Sequence, residues 1–269
     1  MRVDAHQHFW HYDPVEFGWI SDEMAACRRD FLPADLLPHL NQAGMDGTVA
    51  VQARCLDAEN DFLLGLGLPV LGVVGWVDLT APDVDDQLAR WAASPRFKGV
   101  REIAQGQAAG FLLRPTFVTG VNKLADHGLT YDLLVYANQL EESCAFADLV
   151  STPMVLDHCA KPSIRSGMWE PWASQIRELA RREHVWCKVS GLSFEADWAT
   201  WDATVLRPYI EHVLSCFGPE RCMVGSDWPV CLPAGDYGRV MAALESCLSS
   251  AEREAVMGLN AARFYGLGQ

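Results

Sequence analysis

The sequence has little that would indicate a membrane protein, a secreted protein or a nucleic-acid-binding protein. No uninterrupted apolar stretch approaches the roughly 18 to 20 residues that a membrane-spanning helix needs. The first residues lack the apolar run of a signal peptide, so we expect a cytoplasmic protein. With 21 Lys and Arg against 35 Asp and Glu, the formal net charge is −14. This charge argues against nucleic acid or an anionic membrane surface as a partner.

The nine cysteines form no recognisable framework, since their number is odd and no CxxC pair occurs. Cys159, Cys187 and Cys222 lie in or beside apolar segments, so we expect buried free thiols in a reducing compartment. A disulfide framework or a structural zinc site is the alternative. Internal repeats, low-complexity segments and flexible linkers are also lacking in the sequence, which predicts one domain over residues 1–269.

Short apolar segments alternate with longer amphipathic ones along the whole chain. Eight are predicted strands, rich in Val, Leu and Ile and covered on both faces; they are residues 3–8, 47–52, 71–77, 99–103, 130–135, 154–158, 185–191 and 223–228. Helical patterns lie between most of them, and the first, over 33–44, contains Pro38, where a kink or an early break is expected. Eight such units in about 250 residues predict a single (β/α)8 TIM barrel of the α/β class.

A doubly wound open sheet is the competing fold, but it would be expected to carry a Gly-rich phosphate loop after an early strand. The sequence has no such loop. The segment 9–31 is long for a connection between a strand and a helix and is rich in aromatic residues. Because long loops on this face of a barrel often cover the site, we predict a lid or a pocket wall here.

Ionisable residues are concentrated at the C-terminal ends of the predicted strands, where barrel enzymes carry their catalytic groups. In chain order they are His6 and His8, Arg101 and Glu102, Asp132, Asp157 and His158, Lys188, and Asp227. Polar side chains within apolar strands are costly unless they are paired or functional. The strand ends therefore predict the position of the site.

His6 and His8 are two residues apart on a strand, so both side chains point to the same face. Both imidazoles can then reach one point, either a metal ion or a carbonyl oxygen. His158 follows a later strand and could instead be a core histidine. Asp227 follows a Gly-Ser pair and could instead cap the next segment.

Arg101 is a candidate for binding a carbonyl, a carboxylate or a group of hydroxyls, with an ion pair to Glu102 or another acid as the alternative. Lys161 and Lys188 could orient a substrate or stabilise an oxyanion, or could be purely structural. Three tryptophans are candidates for the walls of the pocket, or for plain packing; they are Trp10, Trp76 and Trp228.

Five motifs together resemble the amidohydrolase superfamily, and more narrowly its amidohydrolase-2 branch of lactonases. They are His6-Gln7-His8 and the segments 97–101 (FKGVR), 156–162 (LDHCAKP), 187–192 (CKVSGL) and 224–229 (VGSDWP). The branch includes hydrolases of sugar lactones, such as L-fucono- and L-rhamnonolactone, and of 2-pyrone-4,6-dicarboxylate. The motifs extend over residues 6–229, so the resemblance covers most of the chain.

The resemblance implies that Asp227 activates the hydrolytic water and that His6, His8 and His158 line the same site. Metal-dependent members of the superfamily usually present histidines on two neighbouring later strands, whereas here the strand after His158 offers Lys188. We therefore expect no required cofactor. The alternative is one divalent ion, zinc in particular, held by His6, His8 and a carboxylate; the candidate carboxylates are Asp227 and Glu102.

The sequence thus predicts a hydrolase that opens a six-carbon aldonolactone to the aldonic acid. A neutral sugar lactone is favoured because only Arg101 is clearly placed at a strand end, and a dicarboxylate would need several arginines. The alternatives are a 2-pyrone-4,6-dicarboxylate lactonase, a metal-dependent non-oxidative decarboxylase and a non-catalytic small-molecule binding protein. The expected partner is a small-molecule lactone, and the oligomeric state is left open.

Overall fold

Eight parallel strands form the centre of the protein, for which a computed structural model describes residues 1–268. They are β1 (Val3–Gln7), β2 (Gly47–Val51), β3 (Val70–Gly75), β4 (Phe97–Ile103), β5 (Thr130–Leu134), β6 (Met154–Leu156), β7 (Val185–Val189) and β8 (Cys222–Val224). Each strand pairs with the next in sequence. The last returns to the first through a bridge between Gln7 and Trp228, where the His8 amide donates to the Trp228 carbonyl at 2.7 Å. The predicted (β/α)8 barrel is confirmed; Gln269, the last residue of the predicted domain, lies outside the described residues.

Helices surround the strands. They are α1 (Pro33–Ala43), α2 (Asp57–Gly65), α3 (Val84–Ala92), α4 (Pro115–Asp126), α5 (Leu140–Ala147), α6 (Trp172–Leu179), α7 (Leu192–Glu195), α8 (Ala203–Phe217), α9 (Tyr237–Ser246), α10 (Ser250–Glu254) and α11 (Asn260–Tyr265). The sequence patterns did not predict α2, α7 or α11. An early break at Pro38 does not occur, since α1 continues to Ala43. None of the helices described over residues 1–268 is long and apolar enough to cross a membrane.

The interior of the barrel is built in layers. Its lower end is filled by small and branched residues of the strands, including Val3, Ala5 and Val49, and is closed by Tyr265 of α11. Above this apolar layer the interior contains fully buried charged side chains, and the candidate site lies above them, at the C-terminal ends of the strands. The apolar layer excludes water from below and so strengthens the interactions of the charged residues.

A β-bulge in β1 directs its histidines. The pairing of β1 with β2 shifts by one residue between Asp4 and Gln7. Ala5 belongs to the apolar interior, and after the extra residue His6 and His8 also turn to the interior. Bulges often re-aim a side chain in this way. The bulge therefore brings both histidines to the upper end of the barrel.

The segment 9–31 covers the mouth of the barrel, as predicted. It contains a 3-10 helix at Asp22–Cys27 and is closed by backbone hydrogen bonds between Trp10 and Phe31. Phe31 packs edge-to-face against Trp228 with ring centroids 5.0 Å apart. The nine cysteines are free thiols, and seven of them are buried.

Candidate active site

A cavity of about 200 Å³ opens at the C-terminal ends of the strands. Its polar lining consists of His8, Arg101, Gln105, His158, Lys161 and Asp227. An outer compartment of about 240 Å³ continues from it and shares Gln105, Lys161 and Asp227. These polar residues from four different strand ends or βα connections thus meet in one place, as the barrel fold predicts.

Hydrogen-bond acceptors converge on the floor of this cavity. His8 Nδ1 lies 2.7 Å from the Val51 carbonyl, which can only accept, so Nδ1 carries the proton and Nε2 presents a lone pair. That Nε2 lies 3.3 Å from His6 Nε2 and 3.4 Å from Asp227 Oδ1. His158 Nε2 is 3.9 Å from the same oxygen. His8 Nε2 and Asp227 Oδ1 are both acceptors, so in this buried place they require a proton or a cation between them.

His6 lies between two cations. Its Nδ1 is 3.1 Å from Lys188 Nζ and 3.3 Å from Asp157 Oδ1, and its Nε2 is 3.3 Å from an Arg101 Nη atom. Burial, helped by the neighbouring Lys188, holds the pKa of His6 well below its usual value. His6 is therefore a neutral ring held in place by charged neighbours.

The same burial keeps the other histidines neutral. Burial lowers the pKa of His158 to about 4 and also lowers the pKa of His8. Burial alone would raise the pKa of Asp227, but His158 and the contact with His8 outweigh it and hold that pKa below its usual value. At neutral pH the floor therefore presents one ionised carboxylate among uncharged imidazoles.

A fully buried ion cluster supports the floor from below. Lys188 Nζ lies 2.5 Å from Asp132 and 3.1 Å from Asp157, and Tyr265 donates to both oxygens of Asp132 at 2.9 and 3.0 Å. Arg101 adds an ion pair to Asp157 at 3.2 Å. Because each charge has an opposite partner, the cluster can remain ionised without water. It fixes the Lys188 ammonium against His6.

Unusual backbone geometry brings the later catalytic candidates into the cavity. Asp227 and the four residues 158–161 have positive φ angles between 52° and 57°, although none is glycine. Such conformations persist only when the surroundings enforce them, and they are concentrated at functional sites. His158 Nδ1 contacts the Ser190 hydroxyl at 2.9 Å, and Asp4 accepts from the Ser226 hydroxyl at 2.6 Å beside Asp227.

The donor set on the floor fits a single divalent ion. Ring nitrogens of His6 and His8 and a carboxylate oxygen of Asp227 all lie within 4.8 Å of one another. Two nitrogens 3.3 Å apart match an edge of a tetrahedral zinc site, in which Zn–N bonds are about 2.0 to 2.1 Å. A second group, His6 with Asp157 and His158, meets the same limit, but its carboxylate is already paired with buried cations.

The structure brings together most of the residues predicted for the site. His6, His8, His158 and Asp227 surround one point, and Arg101 and Lys161 line the cavity beside it. These six residues come from four strands or their following loops, so only the barrel fold makes them neighbours.

Two of the predicted site residues lie elsewhere. Glu102 follows Arg101 on β4 and points to the opposite face, where its carboxylate accepts from Trp76 Nε1 at 2.8 Å. It lies outside the group of candidate metal ligands. Lys188 is completely buried in the ion cluster below the floor, so it cannot touch a substrate directly.

The predicted tryptophan walls are also corrected. Trp10 and Trp228 are each 1% exposed and pack in the base of the covering segment, with Trp10 donating to the Arg29 carbonyl. Trp76 is held by Glu102 on the outer face of the strands. The aromatic wall of the cavity is instead Trp19, with Tyr136 and Phe194 in the outer compartment.

Sequence reasoning missed Gln105, Ser190 and Glu195. Glu195 follows β7, so a search of the whole loop after each predicted strand would have found it, whereas Ser190 lies within the predicted strand 185–191 and directly after the observed β7. Gln105 follows β4 in the same way and accepts from Lys161 Nζ at 2.7 Å.

A barrel of this kind is typical of an amidohydrolase when a His-x-His pair ends its first strand. Here a later histidine and an aspartate after β8 complete the same arrangement. The family profile described as Amidohydrolase matches residues 3–267, and the chain belongs to this family.

Relatives with known names match over almost the whole chain. L-fucono-1,5-lactonase of Burkholderia multivorans is 38% identical, over 99% of this chain and 96% of that protein. L-fucono-1,5-lactonase of Burkholderia ambifaria is 37% identical, over 98% of this chain and 95% of that protein. A crystal structure of an amidohydrolase from Burkholderia multivorans with bound zinc superimposes with a TM-score of 0.92, at 38% identity and 99% coverage of both chains.

Proposed function

We propose that this protein hydrolyses a neutral six-carbon aldonolactone, such as L-fucono- or L-rhamnonolactone, to the aldonic acid. One observation carries the proposal: Asp227 is an ionised carboxylate on the floor of a cavity, with imidazole and guanidinium groups beside it. The L-fucono-1,5-lactonases that match the chain at 37 and 38% identity support the substrate class.

Asp227 is the base that activates water. Its Oδ1 lies 3.4 Å from His8 Nε2, which presents a lone pair, so a water between these two atoms has acceptors for both of its hydrogens. Because the pKa of Asp227 is held below its usual value, the carboxylate is ionised at neutral pH and its oxygen is free to take a proton from water. The water oxygen then forms a bond to the carbonyl carbon of the lactone.

The carbonyl oxygen needs a hydrogen-bond donor as negative charge develops on it. Arg101 lines the cavity and is held by Asp157 at 3.2 Å, so its guanidinium is oriented before substrate binds. When the Ser190 hydroxyl donates to His158 Nδ1, the proton of that ring is on Nε2, which faces the cavity. Arg101 and His158 are therefore the two donors for the oxyanion.

The ring opens when the bond between the carbonyl carbon and the ring oxygen breaks. The ring oxygen leaves as an alkoxide and takes the proton that Asp227 received from water. The products are the carboxylate and hydroxyl of an open aldonic acid, with one proton released to solvent at neutral pH. Asp227 thus acts first as base and then as acid.

A divalent ion fits the same floor. His6, His8 and Asp227 would hold it, and when bound it would polarise the carbonyl or lower the pKa of a water. The zinc-containing structure at 38% identity supports this fit. In our proposal the ion is optional, because Arg101 already supplies a positive charge 3.3 Å from His6 Nε2.

The lining of the cavity favours a neutral substrate over 2-pyrone-4,6-dicarboxylate. Its cations are Arg101 and Lys161, and Arg101 is already engaged by Asp157 and Gln52. The carboxylates of Asp227 and Glu195 face the same space. Two substrate carboxylates would therefore meet like charges without two free cations to bind them.

A substrate panel tests the proposal. We expect the purified protein to hydrolyse L-fucono- or L-rhamnonolactone faster than 2-pyrone-4,6-dicarboxylate, as measured by acid release with a pH indicator. We also expect activity to remain after chelation and to need no added zinc. Hydrolysis of the dicarboxylate alone would contradict the proposal. Release of carbon dioxide from a hydroxybenzoate, abolished by the chelator, would favour the decarboxylase alternative.

Gly191 offers a test of the position of His158. A Cβ at this residue would lie 2.8 Å from His158 Nδ1, where backbone φ is +66°. We expect Gly191→Ala to displace the imidazole and to lower kcat by about 100-fold. Gly167→Ala is the matched control, since φ there is +69° but no atom lies within 4 Å of the added Cβ. Equal kcat values in the two variants would show that the position of the His158 imidazole does not affect turnover.

A further inference from the structure

The outer compartment of the cavity contains a carboxylate and an ammonium group that form no ion pair with each other. Lys161 lies between the two compartments, and Glu195 at the end of α7 lines the outer one. Within the described residues, 1–268, no ion pair within 4.0 Å joins them. Both line a compartment that also contains Asp227.

The Glu195 carboxylate has few interactions with the rest of the protein. It is partly buried, and within residues 1–268 its carboxylate makes neither a hydrogen bond nor an ion pair with another residue. Burial raises the pKa of Glu195, and Lys161 opposes that rise. A partly desolvated carboxylate without a donor is unfavourable, so a ligand that supplies donors is bound favourably there.

Lys161 is the complementary group. Its Nζ donates to Gln105 Oε1 at 2.7 Å and lies 5.4 Å from the centre of the Tyr136 ring. An ammonium has three hydrogens to donate, so further donors remain for a ligand oxygen. The side chain is also held in position before substrate arrives.

This pair of charges selects the chemistry of the ligand. A carboxylate on the ligand would be repelled by Glu195 and Asp227, and an ammonium would be repelled by Lys161. Hydroxyl groups satisfy both sides, because each can donate to Glu195 and accept from Lys161. Trp19, on the wall of both compartments, offers an apolar surface for the C–H face of the ligand.

We propose that Glu195 and Lys161 form a hydroxyl-binding subsite in which Glu195 both recognises the polyol part of the lactone and excludes anionic lactones. This inference rests on the proposed lactonase function and names the residues that set its specificity. Glu195 is a specificity residue, because it contacts the far end of the substrate and not the reacting carbonyl.

Two substitutions at Glu195 separate the recognition of hydroxyl groups from the exclusion of anionic lactones. Glu195→Gln keeps the size of the side chain but removes its charge, and Glu195→Asp keeps the charge but shortens the reach. Glu254→Gln is the matched control, since Glu254 is exposed at the end of α10. Each variant is assayed for kcat/KM on L-fuconolactone, on δ-valerolactone, which has no hydroxyl groups, and on a sugar lactone with a terminal carboxylate. Thermal melting confirms that each variant is folded.

We expect both Glu195 variants to lose about 10- to 100-fold in kcat/KM on L-fuconolactone, with no matching loss on δ-valerolactone. Only Glu195→Gln should gain activity on the anionic lactone. An equal loss on L-fuconolactone and δ-valerolactone, or no change on either, would overturn the subsite. If the unsubstituted protein hydrolyses none of the lactones, the proposed function itself has failed.

Discussion

Asp227→Asn is expected to lower kcat by about 100- to 10,000-fold while leaving the fold intact. The substitution removes the carboxylate that accepts the proton of the water but keeps its shape. Asp227 has a φ angle of 57°, and asparagine adopts this left-handed region as readily as aspartate. Its backbone hydrogen bonds to His6 and Cys231 do not involve the side chain. The measurement is kcat on the best lactone of the panel, with thermal melting as the check on folding.

Asp126→Asn is the control for this result. Asp126 is exposed at the end of α4, so the substitution removes the same charge without touching the cavity. We expect wild-type turnover from it. Turnover near the wild-type level from Asp227→Asn would contradict the assignment of the base.

Lys188→Met is expected to lower the free energy of unfolding by about 3 to 5 kcal/mol. Lys188 is completely buried, and its Nζ contacts Asp132 at 2.5 Å and Asp157 at 3.1 Å. Removing the ammonium leaves Asp132 without a cation in an interior that water does not reach. Because the same Nζ lies 3.1 Å from His6 Nδ1, turnover of the folded fraction should fall as well. Urea unfolding and lactone hydrolysis measure the two effects.

Two further variants show whether the lower free energy of unfolding of Lys188→Met comes from the buried cluster. Lys123→Met breaks a partly exposed pair with Asp85 at 3.8 Å and should lower the free energy of unfolding by about 1 kcal/mol or less. The double variant Lys188→Met with Asp132→Asn removes the unpaired charge and should recover part of the stability. If Lys188→Met were as stable as Lys123→Met, the buried cluster would not support the floor of the site.

The fold and much of the candidate site follow from strand-end chemistry in the sequence. Eight apolar segments predict the barrel, and a barrel brings the ends of its strands together whatever their separation in sequence. His6 and Asp227 are 221 residues apart in number, yet an imidazole nitrogen of one lies 3.8 Å from the carboxylate of the other. The family motifs led to the same residues.

Other features of the site depend on contacts between residues that are far apart in the sequence, and no local sequence pattern predicts them. Glu102 and Lys188 both lie at strand ends, but side-chain alternation sends one to the outer face and the layers of the barrel bury the other. Tyr265 reaches Asp132 only because α11 closes the bottom of the barrel. Glu195 ends a four-residue helix that is too short to give a periodic signal. These positions needed the three-dimensional structure.

The most direct test of the account is the crystal structure of the Asp227→Asn variant with its aldonolactone bound. We predict that the carbonyl carbon faces the substituted side chain, with the carbonyl oxygen about 2.7 to 3.2 Å from a donor of Arg101 or His158. The hydroxyl groups should point to Lys161 and Glu195. A lactone bound with its carbonyl beside Tyr136 and Phe194, away from residue 227, would contradict the account.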